Sequence, residues 1–261
     1  MAEHPSPIMK NIPGARNIRL VLSYDGTDFS GWQRQENRRT IQGAVEAALK
    51  TMHHHPVAAA GAGRTDAGVH AVGQVANFYT SIARISPERF VPALNRLLPH
   101  DIRIIGADEV ADNFHARFSA YSRTYRYHII CGRSAFPHEL RYALHLRRYP
   151  RLDILNDYAR LLKGEMDCSI FAASIKDKKL SPFRYVDNSY FFVQGQTIIF
   201  EISANAFLHK MVRSIVGTFL FYEEKHSPVT ALKQILASGN RALAGPTALP
   251  AGLFLWKVQY R

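Results

Sequence analysis

The chain reads as an α+β protein with one extended, mainly antiparallel mixed sheet and helices packed mostly on one side. Two observations predict this class. Segments of strand-like and helix-like hydrophobic period alternate along the sequence, and the order of strands and helices in the first half returns in the second, although the residues do not repeat. A third observation concerns organisation: no linker rich in Gly, Ser or Pro interrupts the chain near Asp112, where the halves meet. Residues 17–112 and 113–261 are therefore expected to pack against each other around a cleft.

Residues 1–16 carry prolines and little apolar pattern, which predicts a flexible arm. Ile18 to Tyr24 then reads as a strand. Thr40 to Met52 places Ile41, Val45, Ala48, Leu49 and Met52 on one helical face. Val72 to Tyr79 is a strand, and Ser86-Pro87 supplies an N-cap with proline at the first helical position. The helix that follows is striped by Phe90, Val91, Leu94, Leu97 and Leu98, and Ile102 to Ala107 closes the half. In the second half, Arg123 to Ile130 is a strand and Leu152 to Leu162 a helix. Tyr190 to Val193 and Ile198 to Ala204 form a hairpin around Gln194-Gly195-Gln196. Ala206 to Tyr222 is predicted as one long helix, and Ser227-Pro228 starts a shorter one. Leu253 to Tyr260 mixes Phe254, Trp256 and Val258 with Leu253 and Leu255, the pattern of a strand buried on both faces.

The charge balance narrows the function. Against 21 Asp+Glu stand 33 Lys+Arg, a formal +12 that favours a polyanionic partner, with nucleic acid the natural candidate. The arginines are scattered and form no basic amphipathic helix, which weighs against a membrane surface. No apolar run reaches the length of a membrane span and Met1 to Pro13 has no signal-like apolar core, so a cytoplasmic protein is expected. Cys131 and Cys168 lack metal-ligand spacing and are read as reduced thiols. The run His53-His54-His55 does not suit a metal, because adjacent side chains at a helix end diverge.

The most informative stretch is Gly63-Arg64-Thr65-Asp66-Ala67-Gly68-Val69-His70. Its glycines, with Gly61, let the backbone turn sharply beside a ligand, and a neighbouring cation keeps the carboxylate ionised, as a nucleophile requires. A turn aspartate paired to a surface arginine is the alternative. Tyr125, Tyr127 and Ile129 share one strand face, with Arg126 and His128 on the other. That alternation suits either core packing or base stacking beside basic groups. On the long helix, His209, Arg213 and Gly217 form a line at the edge of the buried face, so that Arg213 can reach inward while another element approaches over Gly217. Arg213 can equally be an arginine laid along apolar surface. Asp25, before Gly26, is a second carboxylate candidate that a turn also explains, whereas Trp32-Gln33-Arg34, with an exposed-looking aromatic, reads as an RNA-contact loop. No dinucleotide fingerprint, Walker lysine, His-Glu metal motif or nucleophile elbow is present.

Together, Tyr24-Asp25-Gly26 with Gly31-Trp32-Gln33, the Asp66 octapeptide with Ala71, Tyr125-Arg126-Tyr127, and Phe207 to Arg213 resemble the tRNA pseudouridine synthase A family in order and spacing. The resemblance covers almost the whole chain after residue 16. It implies the pseudouridine synthase fold with a central RNA-binding cleft, and isomerisation of uridine to pseudouridine at positions 38, 39 and 40 of the tRNA anticodon stem-loop. It also implies a homodimer, no metal and no organic cofactor. Matched residue by residue, Asp66 is the catalytic aspartate, Tyr125 the tyrosine beside the base, and Arg213 the arginine that pairs with the aspartate. Arg64 matches the residue that helps displace the target nucleotide, and Leu255 one lining the base pocket. Phe171 lies in a looser match, and residues 176–187, with Lys176, Lys178, Lys179 and Pro182-Phe183-Arg184, depart most from the family. A tRNA-binding protein without catalysis suits the same basic and aromatic features, but it gains nothing from an ionised carboxylate facing phosphates. A carboxylate glycosidase usually needs a second acid near the first, and the Asp66 loop holds none.

Overall fold

The computed structural model of the chain describes residues 14–172 and 181–261. The first thirteen residues of the expected flexible arm, and Lys176, Lys178 and Lys179, lie outside the described residues. The chain divides into two units, one of residues up to Tyr121 together with Leu255–Arg261, the other Ser122–Phe254. Both mix helices with mainly antiparallel strands, the class the alternating periods predict.

The first unit is organised by β1 (Arg16–Tyr24), whose Ile18, Leu20 and Leu22 are fully buried while Arg19, Val21 and Ser23 face outward. That alternation is the sequence pattern made visible. Helix α1 (Ile41–His53) starts at Thr40, whose hydroxyl accepts a hydrogen bond from Gly43 N at 3.3 Å. Its buried face is Ile41, Val45, Ala48, Leu49 and His53, with Met52 only half-buried. His53 is held by Leu49 O and Thr80 Oγ1, each at 2.8 Å, and burial lowers its pKa. His54 turns away in the left-handed region and His55 is exposed. After β2 (Ala60–Gly61) and β3 (His70–Thr80), the next helix departs from expectation. Pro87–Arg89 form a 3-10 turn, Ser86 makes no side-chain cap, and α2 covers only Phe90–Leu97. The tight first turn rotates the stripe, so Phe90 and Leu94 are buried but Leu97 is exposed. Strand β4 (Ile102–Val110) pairs antiparallel with β1, which pairs antiparallel with β3 on its other side.

In the second unit, β5 (Ala120–Cys131) pairs in parallel with the short β6 (Leu144–Leu146) and antiparallel with a later strand. Helix α3 (Leu152–Arg160) precedes β7 (Gly164–Asp167), β8 (Phe183–Gln194) and β9 (Thr197–Ala204). Strands β8 and β9 are joined through Gly195, whose φ of +60° suits the two-residue turn. The predicted long helix is shorter at its start: α4 runs Met211–Glu224. Lys210 adopts φ 61°, which breaks any helix, and Asn205 ties the preceding segment to β8 by accepting from Tyr185 N at 3.1 Å. Hydrophobic periodicity continued through this turn without helical backbone. Helix α5 (Val229–Ser238) follows Pro228, without a Ser227 cap. The final strand β10 (Leu253–Tyr260) lies beside β3 in the order β4-β1-β3-β10. Its Leu253, Leu255 and Val258 are buried, Phe254 and Trp256 half-buried and Lys257 exposed, so it is not buried on both faces as expected. Bulky aromatics at alternate positions imitate a doubly buried strand in sequence.

Candidate active site

Asp66 sits on a turn that is held from below and from both sides. Val69 N donates to Asp66 O at 3.2 Å and Gly68 takes φ +76°, closing the turn. Trp32 N donates to Thr65 O at 3.0 Å and Gly68 N to Phe29 O at 3.3 Å, which ties it to the segment after β1. The approach is close: a Cβ on Gly31 would stand 2.6 Å from Thr65 O, and one on Gly26 would stand 1.9 Å from Val69 O. Only glycine permits either contact. Beneath the turn, the Tyr24 hydroxyl lies 2.8 Å from Thr65 Oγ1, and Gln74 Nε2 donates to Gly63 O at 2.8 Å. Burial pushes the Tyr24 pKa up to about 12, so this phenol keeps its proton at neutral pH. The alternation of pinned Gly63 and Thr65 leaves Arg64 exposed and Asp66 half-buried.

Two readings from the same region change. Trp32 is 2 % exposed rather than a surface aromatic, its ring filling the space that a side chain on Gly61 would need. Gln33 and Arg34 remain exposed. Asp25 is a turn aspartate: its Oδ1 accepts from Thr27 N at 3.0 Å and Thr27 Oγ1 at 2.6 Å, and lies 3.2 Å from His70 Nδ1.

In the second unit, Tyr125, Tyr127 and Ile129 are buried on one face of β5, as the alternation requires. Tyr125 packs edge-on against Phe207, with ring centroids 4.9 Å apart. On the opposite face, Arg126 Nε bonds Glu201 Oε2 at 2.7 Å, so this arginine is engaged within the sheet. Arg213 lies one turn before Gly217 on α4, but His209 precedes the helix and drops out of the line. Pro246 to Ala248 runs across Gly217: Ala248 N donates to Arg213 O at 3.1 Å, and Arg213 Nε donates to Ala248 O at 2.8 Å. The half-buried Arg213 is thus oriented by backbone rather than laid along apolar surface. Tyr127 OH anchors the same segment by donating to Leu249 O at 2.8 Å.

The first unit therefore carries Asp66, Arg64 and the fully buried Leu255, and the second carries Tyr125 and Arg213. Phe171 is fully buried, and of the divergent stretch Phe183 and Arg184 open β8. Sequence reasoning missed Tyr24, Thr65 and Gln74 as a group. The signal available for two of them was a polar residue at an inward position of an apolar strand, Tyr24 in β1 and Gln74 in β3. Among the described residues no group of three His, Cys, Asp or Glu side chains could hold a metal ion. Chemically, the first unit offers a carboxylate on a rigid turn, and the second offers an oriented guanidinium and an aromatic ring.

The family described as tRNA pseudouridine synthase matches residues 20–119 and 158–261. The chain is 50% identical to a tRNA pseudouridine synthase A of Treponema denticola over 94% of this chain and 93% of that protein. It is also 50% identical to one of Treponema pallidum, over 88% of this chain and 84% of that protein. Identity to one of Brachyspira hyodysenteriae is 42%, over 94% and 98%. Among solved structures, a chain of a Cbf5-Nop10-Gar1 complex overlays with a TM-score of 0.33 at 10% identity, covering 91% of this chain and 57% of that one.

Proposed function

This chain belongs to the tRNA pseudouridine synthase A family, and on that premise we propose that Asp66 is the nucleophile that isomerises uridine at positions 38, 39 and 40 of the tRNA anticodon stem-loop. The chain is an isomerase of the pseudouridine synthase class acting on tRNA. The observation that carries the role of Asp66 is its turn, pinned through Gly63, Thr65 and Gly68 so that the backbone bearing the carboxylate is held in place. Arg213 is assigned as its ion-pair partner from the match to the family motif. Asp66 attacks ribose or base as the bond between C1′ and N1 breaks. The freed uracil turns and rejoins C1′ through C5, the bond to Asp66 breaks with the carboxylate as leaving group, C5 loses its proton and N1 gains one, so the sum is an isomerisation. Tyr125 stacks on the base and accepts the C5 proton. Arg64, exposed beside Asp66, helps to draw the nucleotide out of its stem, and Leu255 lines the base pocket. The active form is a cytoplasmic homodimer that needs no metal or organic cofactor. No helix is long and apolar enough to cross a membrane among the described residues.

The test is to incubate purified protein with unmodified tRNA transcripts and map pseudouridine by chemical labelling and primer extension, with Asp66→Asn in parallel. New stops at 38 to 40 that vanish in the variant are expected, while the tRNA affinity of the variant stays near the parent's. Retained turnover in Asp66→Asn would remove the residue from its role, and tight binding without new stops would return the chain to a non-catalytic RNA binder.

A further inference from the structure

Three buried side chains at the Asp66 turn form a hydrogen-bond chain, and the orientation of its amide can be worked out. Gln74 Oε1 accepts from Val75 N at 3.1 Å, while Gln74 Nε2 is 2.8 Å from the carbonyl oxygen of Gly63. Flipping the amide would set oxygen against oxygen and nitrogen against an N–H, so its orientation is fixed by its neighbours. The second hydrogen of Nε2 is directed to the Tyr24 oxygen at 3.4 Å. The Tyr24 hydroxyl in turn lies 2.8 Å from Thr65 Oγ1, and either hydroxyl can donate to the other. The chain ends at the Thr65 hydroxyl, on the residue immediately before Asp66. All three side chains are almost wholly inaccessible to solvent, Gln74 entirely so. A buried amide and phenol are costly unless satisfied, and here their partners are the two residues flanking Arg64.

We propose that Tyr24 and Gln74 are positioning residues for Asp66, acting through Gly63 O and the Thr65 hydroxyl to hold the catalytic turn at its reactive setting. Neither touches substrate. The inference rests on Asp66 being the nucleophile. Tyr24 ends β1 and Gln74 lies within β3, so the turn is referenced to two paired strands rather than to other loops. A misplacement of the nucleophile by a fraction of an ångström costs turnover far more than binding.

The experiment uses the full-length protein and unmodified tRNA. In Tyr24→Phe, which keeps the ring and removes only the hydroxyl, kcat is expected to fall about tenfold, with KM and tRNA affinity within about twofold. Thr65→Val should reproduce that loss and Thr65→Ser, which restores the hydroxyl, should recover most of it. The double variant Tyr24→Phe with Gln74→Leu should lose less than the product of the single losses, since both act on one chain. Parent kcat in both Tyr24→Phe and Thr65→Val would overturn the inference, as would a loss confined to KM. A loss that disappears on cooling well below the unfolding transition would overturn it too, because it would mark a purely structural role. Should Tyr24→Phe fail to fold, the Thr65→Val and Thr65→Ser pair decides alone. Asp66→Asn in the same series separates the two proposals: activity there removes the nucleophile, whereas a dead Asp66→Asn beside fully active Tyr24→Phe and Thr65→Val removes only the positioning role.

Discussion

Gly217 and Pro246 meet so closely that a Cβ on the glycine would stand 1.8 Å from the Pro246 carbonyl oxygen. The same segment exchanges hydrogen bonds with Arg213 through Ala248, so the space kept free on one turn of α4 sets the orientation of the arginine one turn earlier. Gly217→Ala is expected to cost about 2–3 kcal/mol through overpacking, read as a lower urea midpoint. Turnover should fall further than tRNA affinity, since Arg213 loses its backbone partner. An unchanged midpoint would show that the Pro246 to Ala248 segment yields freely.

Glu223 is 1 % exposed and holds Arg148 at 2.7 Å and Arg151 at 3.2 Å, while accepting from Arg151 N at 3.1 Å. Burial raises the pKa of this carboxyl, but the Arg148 hydrogen bond and the two from Arg151 outweigh it, and the net shift is downward. Its folded pKa lies below its unfolded one, so its stabilisation is full above the unfolded carboxylate pKa of roughly 4.3 and fades as pH falls through the folded value. Glu223→Gln should therefore unfold more easily than the parent at pH 7, with the gap narrowing steadily below about pH 4. A gap that is constant with pH would mean that the pair contributes packing and no charge.

The strands and helices of both units were legible because half-buried elements write their period into the sequence, and β1 and α1 are clear instances. What misled was apolar pattern without matching backbone. Phe207 and Leu208 extend the α4 stripe through a turn, and only the positive φ of Lys210 ends the helix. Trp32 looked exposed because turn residues surround it, yet the bare backbone of Gly61 leaves a slot for its ring. At the candidate site, Asp66, Arg64, Tyr125 and Arg213 stand out by residue type and neighbours. The supporting Tyr24, Thr65 and Gln74 do not, since their meaning lies in contacts across 41 and 50 residues of chain. Spacing within one element cannot carry such contacts.

Both cysteines are buried and free, and burial pushes Cys131 up to about 11 and Cys168 to about 12. The thiolate, not the thiol, attacks a disulfide reagent, so at pH 8 the folded protein should react slowly at both. Two thiols should appear promptly after denaturation. Fast titration of one equivalent in the native state would place that cysteine in an open, reactive environment.

With a formal charge of +12, phosphate contacts are expected to supply much of the tRNA affinity. Counterion release then predicts that Kd rises at least about tenfold between 50 and 200 mM salt, along a straight line of log Kd against log salt. Arg64 is exposed on the Asp66 turn and unlike Tyr24 faces outward. If it engages a phosphate while the nucleotide leaves its stem, Arg64→Ala should lower the slope by about one and reduce kcat as well, because extrusion precedes chemistry. A lowered slope with full turnover would make Arg64 a docking residue only, and a salt-independent Kd in the parent would mean that the basic surface does not track the RNA backbone.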